Sequence, residues 1–223
     1  MSARDTVLGK IRASMRVSDP DAERRQAVTA RLAEAPTGVI PARGSLPKTG
    51  QVELFCALAA KFGATMTRVS DYSEIPAEVS AYLRARNLPS EIRIGDDKRL
   101  KKAGWASEQN LELRKGPSDG GDLSGVSHAM AGIAETGTLA LVSGKDNPTT
   151  INFLPEHHIV VLKASDIKGD LESFWAMLRK ARGKGEMPRA VNLVTGPSRS
   201  GDIEQKILLG AHGPRAVHII LVT

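Results

Sequence analysis

Two polar segments carry the residue types that bind or activate a ligand, Gly132–Thr138 and Thr195–Glu204. The second runs Thr195-Gly196-Pro197-Ser198-Arg199-Ser200-Gly201-Asp202-Ile203-Glu204, after an apolar stretch and before a predicted short helix. Glycines, hydroxyls, a guanidinium and free backbone N–H groups at a helix start suit a phosphate or carboxylate. Asp202 and Glu204 oppose that reading by charge, and Asp202 alternatively caps the helix through its first amides. In the first segment Glu135 sits between Ala134 and Thr136, directly before Gly137. A carboxylate there either takes a proton or attacks as a nucleophile, or it bonds the backbone of a neighbouring loop. Thr136 and Thr138 either orient a ligand or satisfy strand-end amides. The candidate set is therefore Glu135 as the catalytic group. Thr136, Gly137, Thr138, Gly196, Ser198, Arg199, Ser200, Asp202, Glu204 and His212 are its ligand-binding partners.

Other chemistries find little support. His157 and His158 are adjacent, so on a strand they point to opposite faces and do not share one ion. His212 lies in a Gly-Ala-His-Gly-Pro loop and His218 in an apolar strand, so no metal site is expected. There is no P-loop, dinucleotide fingerprint or nucleophile elbow, and no cofactor is expected. The single cysteine, Cys56, excludes an internal disulfide and a cluster held by four thiolates of one chain. Its neighbours Leu54, Phe55 and Leu58 make it a buried structural thiol.

The elements that must position these segments follow from periodicity. Residues 4–35 read as a weakly committed helical arm, with Leu8, Ile11 and Met15 on one face and a break at Asp19-Pro20. Residues 36–50, with three prolines and three glycines, form an extended connector. From Gln51 a helix through Leu54, Phe55, Leu58 and Phe62 ends at Gly63. A strand at Thr65–Val69, a helix over about Ser73–Asn87 and a strand at Ile92–Ile94 follow. Lys98–Asn110 and Lys115–Gly125 read as irregular, with alternation at Leu111–Arg114 between them. Leu139–Ser143 and Ile159–Lys163 are short buried strands, and Leu171–Leu178 is an amphipathic helix. Ala190–Val194 and Ala216–Val222 are strands flanking the short helix at Asp202–Leu209. Alternating helices and strands point to an α/β fold, an open sheet with flanking helices plus the N-terminal helical arm. The domains predicted are 1–50 and 51–223.

With 223 residues, 41% hydrophobic and 25% charged, the chain can bury a core. The net charge of +6 and a pI near 9.6 raise the question of nucleic acid. The basic residues are dispersed, their clusters lie at predicted helix ends or in loops, and stacking aromatics are absent around them. No nucleic acid is expected, although a small anionic ligand fits the charge. No run is long enough for a membrane span and the first residues lack a signal peptide's apolar core, so a cytoplasmic protein is expected.

Gly132–Thr138 ("GIAETGT"), Leu154-Pro155 with His158-Ile159, and Thr195–Glu204 ("TGPSRSGDIE") continuing to Gly210–Pro214 ("GAHGP") resemble the lactate-utilization protein C family, whose shared unit is the LUD domain. The resemblance covers about residues 50–223, and the "TGPSRSxDIE…GxHGP" run is its most specific part. It implies a fold similar to the ribose-5-phosphate isomerase and CoA-transferase group. It also implies a part in oxidising L-lactate to pyruvate beside iron–sulfur companion proteins. His157 departs from the apolar residue expected before the family's histidine. Read without the resemblance, Glu135 beside an anion-suited loop leaves open a free-standing enzyme acting on a sugar phosphate or an acyl-CoA.

Overall fold

A computed structural model describes residues 2–15, 22–183, 185–203 and 206–223, with only the backbone described at 202, 203, 206 and 207. The chain divides into two compact units, Met1–Val39 and Ile40–Thr223. The first holds α1 (Ala3–Ser14) and α2 (Ala22–Glu34). Ser2 and Asp5 close a capping box on α1, and neither helix buries a residue. Their apolar positions Val7, Ile11, Val28 and Leu32 are all exposed. The expected break at Asp19-Pro20 lies outside the described residues.

The second unit begins ahead of Gln51. Gly44 is buried, and a Cβ built on it would lie 2.7 Å from the Gly169 carbonyl, so the connector packs by backbone contact. Then come α3 (Lys48–Lys61), β1 (Thr65–Val69), α4 (Ile75–Ala85), β2 (Glu91–Ile94), α5 (Lys98–Lys101) and β3 (Glu112–Lys115). Next are β4 (Ser124–His128), β5 (Ala131–Ile133), β6 (Thr138–Val142), α6 (Thr149–Phe153), β7 (His157–Lys163) and β8 (Ile167–Lys168). The chain closes with α7 (Leu171–Arg182), β9 (Val191–Val194), β10 (Arg199–Ile203), β11 (Lys206–Leu209) and β12 (Ala216–Val222).

Six strands form one sheet in the order β1-β12-β7-β4-β2-β3, and every pair in it is parallel. This is the expected α/β architecture. Alternate residues of β7 and β12 feed two cores. Ile159, Val161, Ile220 and Val222 pack against Ile75, Val79 and Leu83 of α4. Val160, Leu162, Ile219 and Leu221 pack against Phe55 and Ala59 of α3 and against Leu139 and Leu141 of β6. A second sheet, β8-β5-β6-β9, thus lies over that face. Its outer residues Ala131, Ile133 and Ala140 bury Phe174 and Leu178 of α7.

Three expectations are corrected. Ser124–His128, of which the first two residues were expected to end the irregular stretch Lys115–Gly125, is a strand inside the parallel sheet, and all five residues are buried. Only Val126 in it is a large aliphatic. At Gly125 the absent side chain leaves room for Ile151 and Pro155 of the α6 segment, each 2.9 Å from a Cβ built there. Gly132–Thr138 is a hairpin, since Gly132 and Ile133 pair with Leu139 and Thr138 across a turn. Over its described residues the span Asp202–Leu209 is strand, not the expected helix. Residues 199–203 and 206–209 form an antiparallel pair. Ser198 accepts from Gly210 N at 3.0 Å and donates its own N–H to Pro214 at 2.9 Å, which holds the two ends together. A helix over those residues would part its ends by about 12 Å. With strands at Arg199–Ile203 and Lys206–Leu209 in place of the expected helix, Asp202 has no helix start to cap.

Candidate functional site

The hairpin turn carrying Glu135 rests against α3. Gly137 has φ +66°, and a Cβ there would lie 2.6 Å from the Ala59 nitrogen. Gly196, at φ +75°, would drive a Cβ into the Phe62 carbonyl. Both positions therefore require glycine for conformation and for space. Thr195 and Thr138 hydroxyls lie 2.7 Å apart, and Thr138 donates to Thr136 at 2.7 Å. The two polar segments do meet.

Glu135 is 6% exposed. Its Oε1 accepts the Leu171 N–H at 2.9 Å, at the first turn of α7, while Oε2 is buried without a partner. Asp170 supplies the N-cap itself through Ser173 N at 2.8 Å. Arg199 donates to the Phe62 carbonyl at 2.9 Å, closing the C-terminal end of α3. Ser198 Oγ accepts from His212 N at 3.3 Å, so it braces the Gly210–Pro214 loop. His212 lines a groove of about 480 Å³ with Phe153, Leu154 and Arg215, before the starts of β7 and β12. Ser200 is paired in β10, opposite Leu208. Glu204 and the Asp202 side chain lie outside the described residues.

A different cluster occupies the opposite, carboxyl ends of the strands. From β2 the chain proceeds to β3 on one side, and from β4 to β7 on the other. Such a reversal opens a crevice where α/β proteins place ligands. Here the crevice is about 550 Å³ and is lined by Asp97, Arg99, His128, Met130, Asn147 and Arg182, among others. Arg182 ends α7 while Glu135 holds its start, so the two locations stand a 12-residue helix, about 18 Å, apart.

Asp97 is the N-cap of α5 and accepts Arg99 N at 2.7 Å. Its two oxygens also take Arg99 Nε at 3.0 Å and Nη2 at 2.6 Å. Burial alone would raise the Asp97 pKa, but the Arg99 hydrogen bonds and charge bring it below the ordinary carboxylate value. Arg99 keeps a 40% exposed side chain beside its 5% exposed partner, leaving guanidinium edge toward the crevice.

His128, 2% exposed, closes β4. Its Nδ1 lies 2.7 Å from the Ala129 carbonyl, which only accepts, so Nδ1 carries the proton. Nε2 is then an acceptor and takes the Tyr72 phenol at 2.8 Å. The two rings stack with centroids 5.8 Å apart. Burial first, and the Arg99 charge second, push the His128 pKa down to about 4, so the ring is neutral near pH 7.

The other histidines are embedded in the sheet. His157 Nδ1 lies 3.0 Å from the Tyr82 hydroxyl on the α4 face, and His158 bonds Ser127 at 2.6 Å. They face opposite sides, as expected for neighbours on a strand. His218 lies between Thr65 and Thr67. No group of His, Cys, Asp and Glu suited to a metal ion occurs among the described residues. Cys56 is half-buried rather than enclosed, with Arg68 Nη2 at 3.5 Å from Sγ. Sequence reasoning missed Asp97, Arg99 and His128. The available signal was an Asp-Asp-Lys-Arg run directly after a predicted strand.

Residues 122–222 match the LUD domain. The chain is 35% identical over 100 residues to lactate utilization protein C of Geobacillus sp. (strain WCH70), covering 44% of this chain and 42% of that one. It is 30% identical over 175 residues to lactate utilization protein C of Geobacillus kaustophilus, covering 69% of this chain and 73% of the relative. The chain spans about half or less of the length of several of the curated relatives it matches. A crystal structure of a DUF162 family protein from Deinococcus radiodurans shares the fold, with TM-score 0.58 at 20% identity. That likeness covers 80% of this chain and 99% of the other.

Proposed function

Because this chain belongs to the LUD domain family, with relatives named lactate utilization protein C, we propose that it serves lactate utilization and holds a small carboxylate in the crevice beyond β2 and β4. In the finer form of this reading it is a cytoplasmic subunit or accessory protein of a system that oxidises L-lactate to pyruvate. Iron–sulfur proteins are its proposed companions, as the resemblance to the lactate-utilization protein C family implies, and the single cysteine of this chain agrees with that. Among the described residues no helix is long and apolar enough to cross a membrane.

The observation that carries the ligand assignment is Arg99. Its guanidinium is oriented by two oxygens of a buried Asp97 and lines the crevice at the strand-order reversal. A guanidinium so held offers planar, paired donors to a carboxylate. Calorimetry with L-lactate and pyruvate, on the full chain and on Arg99→Ala, tests the site. Copurification with genomic neighbours and growth of a deletion strain on L-lactate test the role. Wild-type growth of the deletion strain would remove the role, and binding unchanged by Arg99→Ala would remove the site.

One observation favours a second reading. Glu135 Oε2 is buried and unpartnered, which fits a carboxylate kept for a reaction on a sugar phosphate or an acyl-CoA. Thr136, Gly137, Thr138, Gly196, Ser198, Arg199, Ser200, Asp202, Glu204 and His212 are then the proposed ligand contacts. Thermal shifts with such compounds, lost in Glu135→Gln, would support it.

A further inference from the structure

Resting on the small-carboxylate reading above, we propose that His128 makes the crevice select a 2-hydroxy acid over the corresponding 2-oxo acid, its Nε2 accepting the ligand hydroxyl while Arg99 takes the carboxylate. The argument turns on which partner can donate. The Ala129 carbonyl, 2.7 Å from Nδ1, only accepts, so the ring proton is fixed there. That leaves Nε2 as a lone-pair acceptor, at present filled by the Tyr72 hydroxyl at 2.8 Å. A 2-hydroxy acid brings an O–H donor to that acceptor, whereas a 2-oxo acid brings only lone pairs and leaves two acceptors facing each other. Arg99 lies on the same crevice wall, and one of its nitrogens is 3.4 Å from that same Ala129 carbonyl. Arg99 and the Nδ1 edge of His128 thus share one carbonyl, which keeps the guanidinium beside the ring, and the Arg99 charge also acts on the Tyr72 phenol that fills Nε2 on its other side.

Tyr72 is the occupant that a ligand hydroxyl displaces. Removing its phenol oxygen frees Nε2 in the unliganded protein, so the Tyr72→Phe chain should bind the hydroxy acid more tightly and the oxo acid no more tightly. Because an acceptor in a site built for a donor discriminates strongly against a ligand that lacks one, the preference should be about tenfold or more.

Calorimetric titration of the full chain with L-lactate, pyruvate and propionate at pH 7.5 tests this, alongside Tyr72→Phe, His128→Phe and Arg99→Ala. The expected result is L-lactate at least about tenfold tighter than pyruvate or propionate. The ratio should widen in Tyr72→Phe and collapse toward one in His128→Phe. His128 is buried, so circular dichroism must show that His128→Phe is folded, and the Tyr72→Phe result stands independently if it is not. Arg99-dependent binding of L-lactate and pyruvate with equal affinity would overturn the selectivity and leave the small-carboxylate reading intact. A lactate-to-pyruvate ratio unmoved by Tyr72→Phe would do the same. No Arg99-dependent binding of any of the three would remove both.

Discussion

Thr195 and Thr138 share a hydroxyl–hydroxyl hydrogen bond of 2.7 Å. Thr138 already donates its proton to Thr136, so Thr195 must be the donor and the three hydroxyls run in one direction. The bond sits just beyond the Leu139–Val194 pair of the β6–β9 ladder and ties the end of β9 to the start of β6. Thr138 is 5% exposed, so replacing its oxygen by a methyl group in Thr138→Val removes a partner from both neighbours. Urea denaturation should show a loss of about 1–2 kcal/mol, with Thr138→Ser close to wild type.

Gly137→Ala should be costlier. The residue needs φ +66°, and its added methyl group would lie 2.6–2.8 Å from Ala59 N and from the carbonyl carbon and Cβ of Leu58. Left-handed backbone and a clash with a helix backbone add, so a loss of about 2–4 kcal/mol is expected. A melting temperature within about 1 °C of wild type would contradict the close approach of hairpin and helix.

The parallel strands at Thr65–Val69, Glu91–Ile94, His157–Lys163 and Ala216–Val222 were legible because each carries β-branched or aliphatic residues. Ser124–His128 was not. Its burial on both faces is accomplished by Gly125 under α6, by Ser127 bonded to His158 and by His128 bonded to Tyr72. These partners come from distant parts of the chain. The same gap hid the crevice, since His128 closes that unseen strand, and the Asp-Asp-Lys-Arg run after β2 has no partner in view until His128 is placed beside it. The polar segments were visible as composition, and their meeting at Thr138 was not, because an antiparallel register of β6 against β9 sets it. For Asp202–Leu209 the sequence pattern named the wrong element, as the pairing of Ser198 with Gly210 is a long-range closure that no 3.6-residue period records.

Asp97→Asn should lower stability and weaken carboxylate binding together. The variant keeps the shape of the cap on α5 but removes the charge that orients Arg99. Because Arg99 is partly exposed and its charge is screened, the stability loss should be about 1–2 kcal/mol rather than that of a fully buried pair. The wild-type Asp97 pKa is depressed in the folded chain. Its contribution is therefore present above the unfolded carboxylate pKa and is lost as pH falls through the lower folded value. Stability compared at pH 7 and pH 5 should show the same Asp97→Asn deficit at both, and a deficit that vanishes by pH 5 would refute the depressed pKa.

Between pH 7 and pH 5 the sheet histidines should dominate instead. Burial brings His128 and His218 down to about 4 and His158 to about 3. The Arg99 charge adds to the effect at His128 and the Arg86 charge at His218. An unfolded histidine titrates near 6.5, so below that pH the unfolded chain binds protons that the folded chain refuses. Stability must then fall as pH drops from about 6.5 toward 4. Each such histidine costs about 2 kcal/mol between pH 7 and pH 5. Urea midpoints at pH 7, 6 and 5 should decline steeply, and Thr65→Val with Thr67→Val, which strips the hydroxyls from His218, should leave that slope in place because burial is its cause. His128→Phe removes one titrating ring and should reduce the decline by about one third of the three-histidine total. A midpoint constant from pH 7 to pH 5 would mean that these rings protonate as freely inside the fold as outside it, and would refute the lowering of their pKa values by burial.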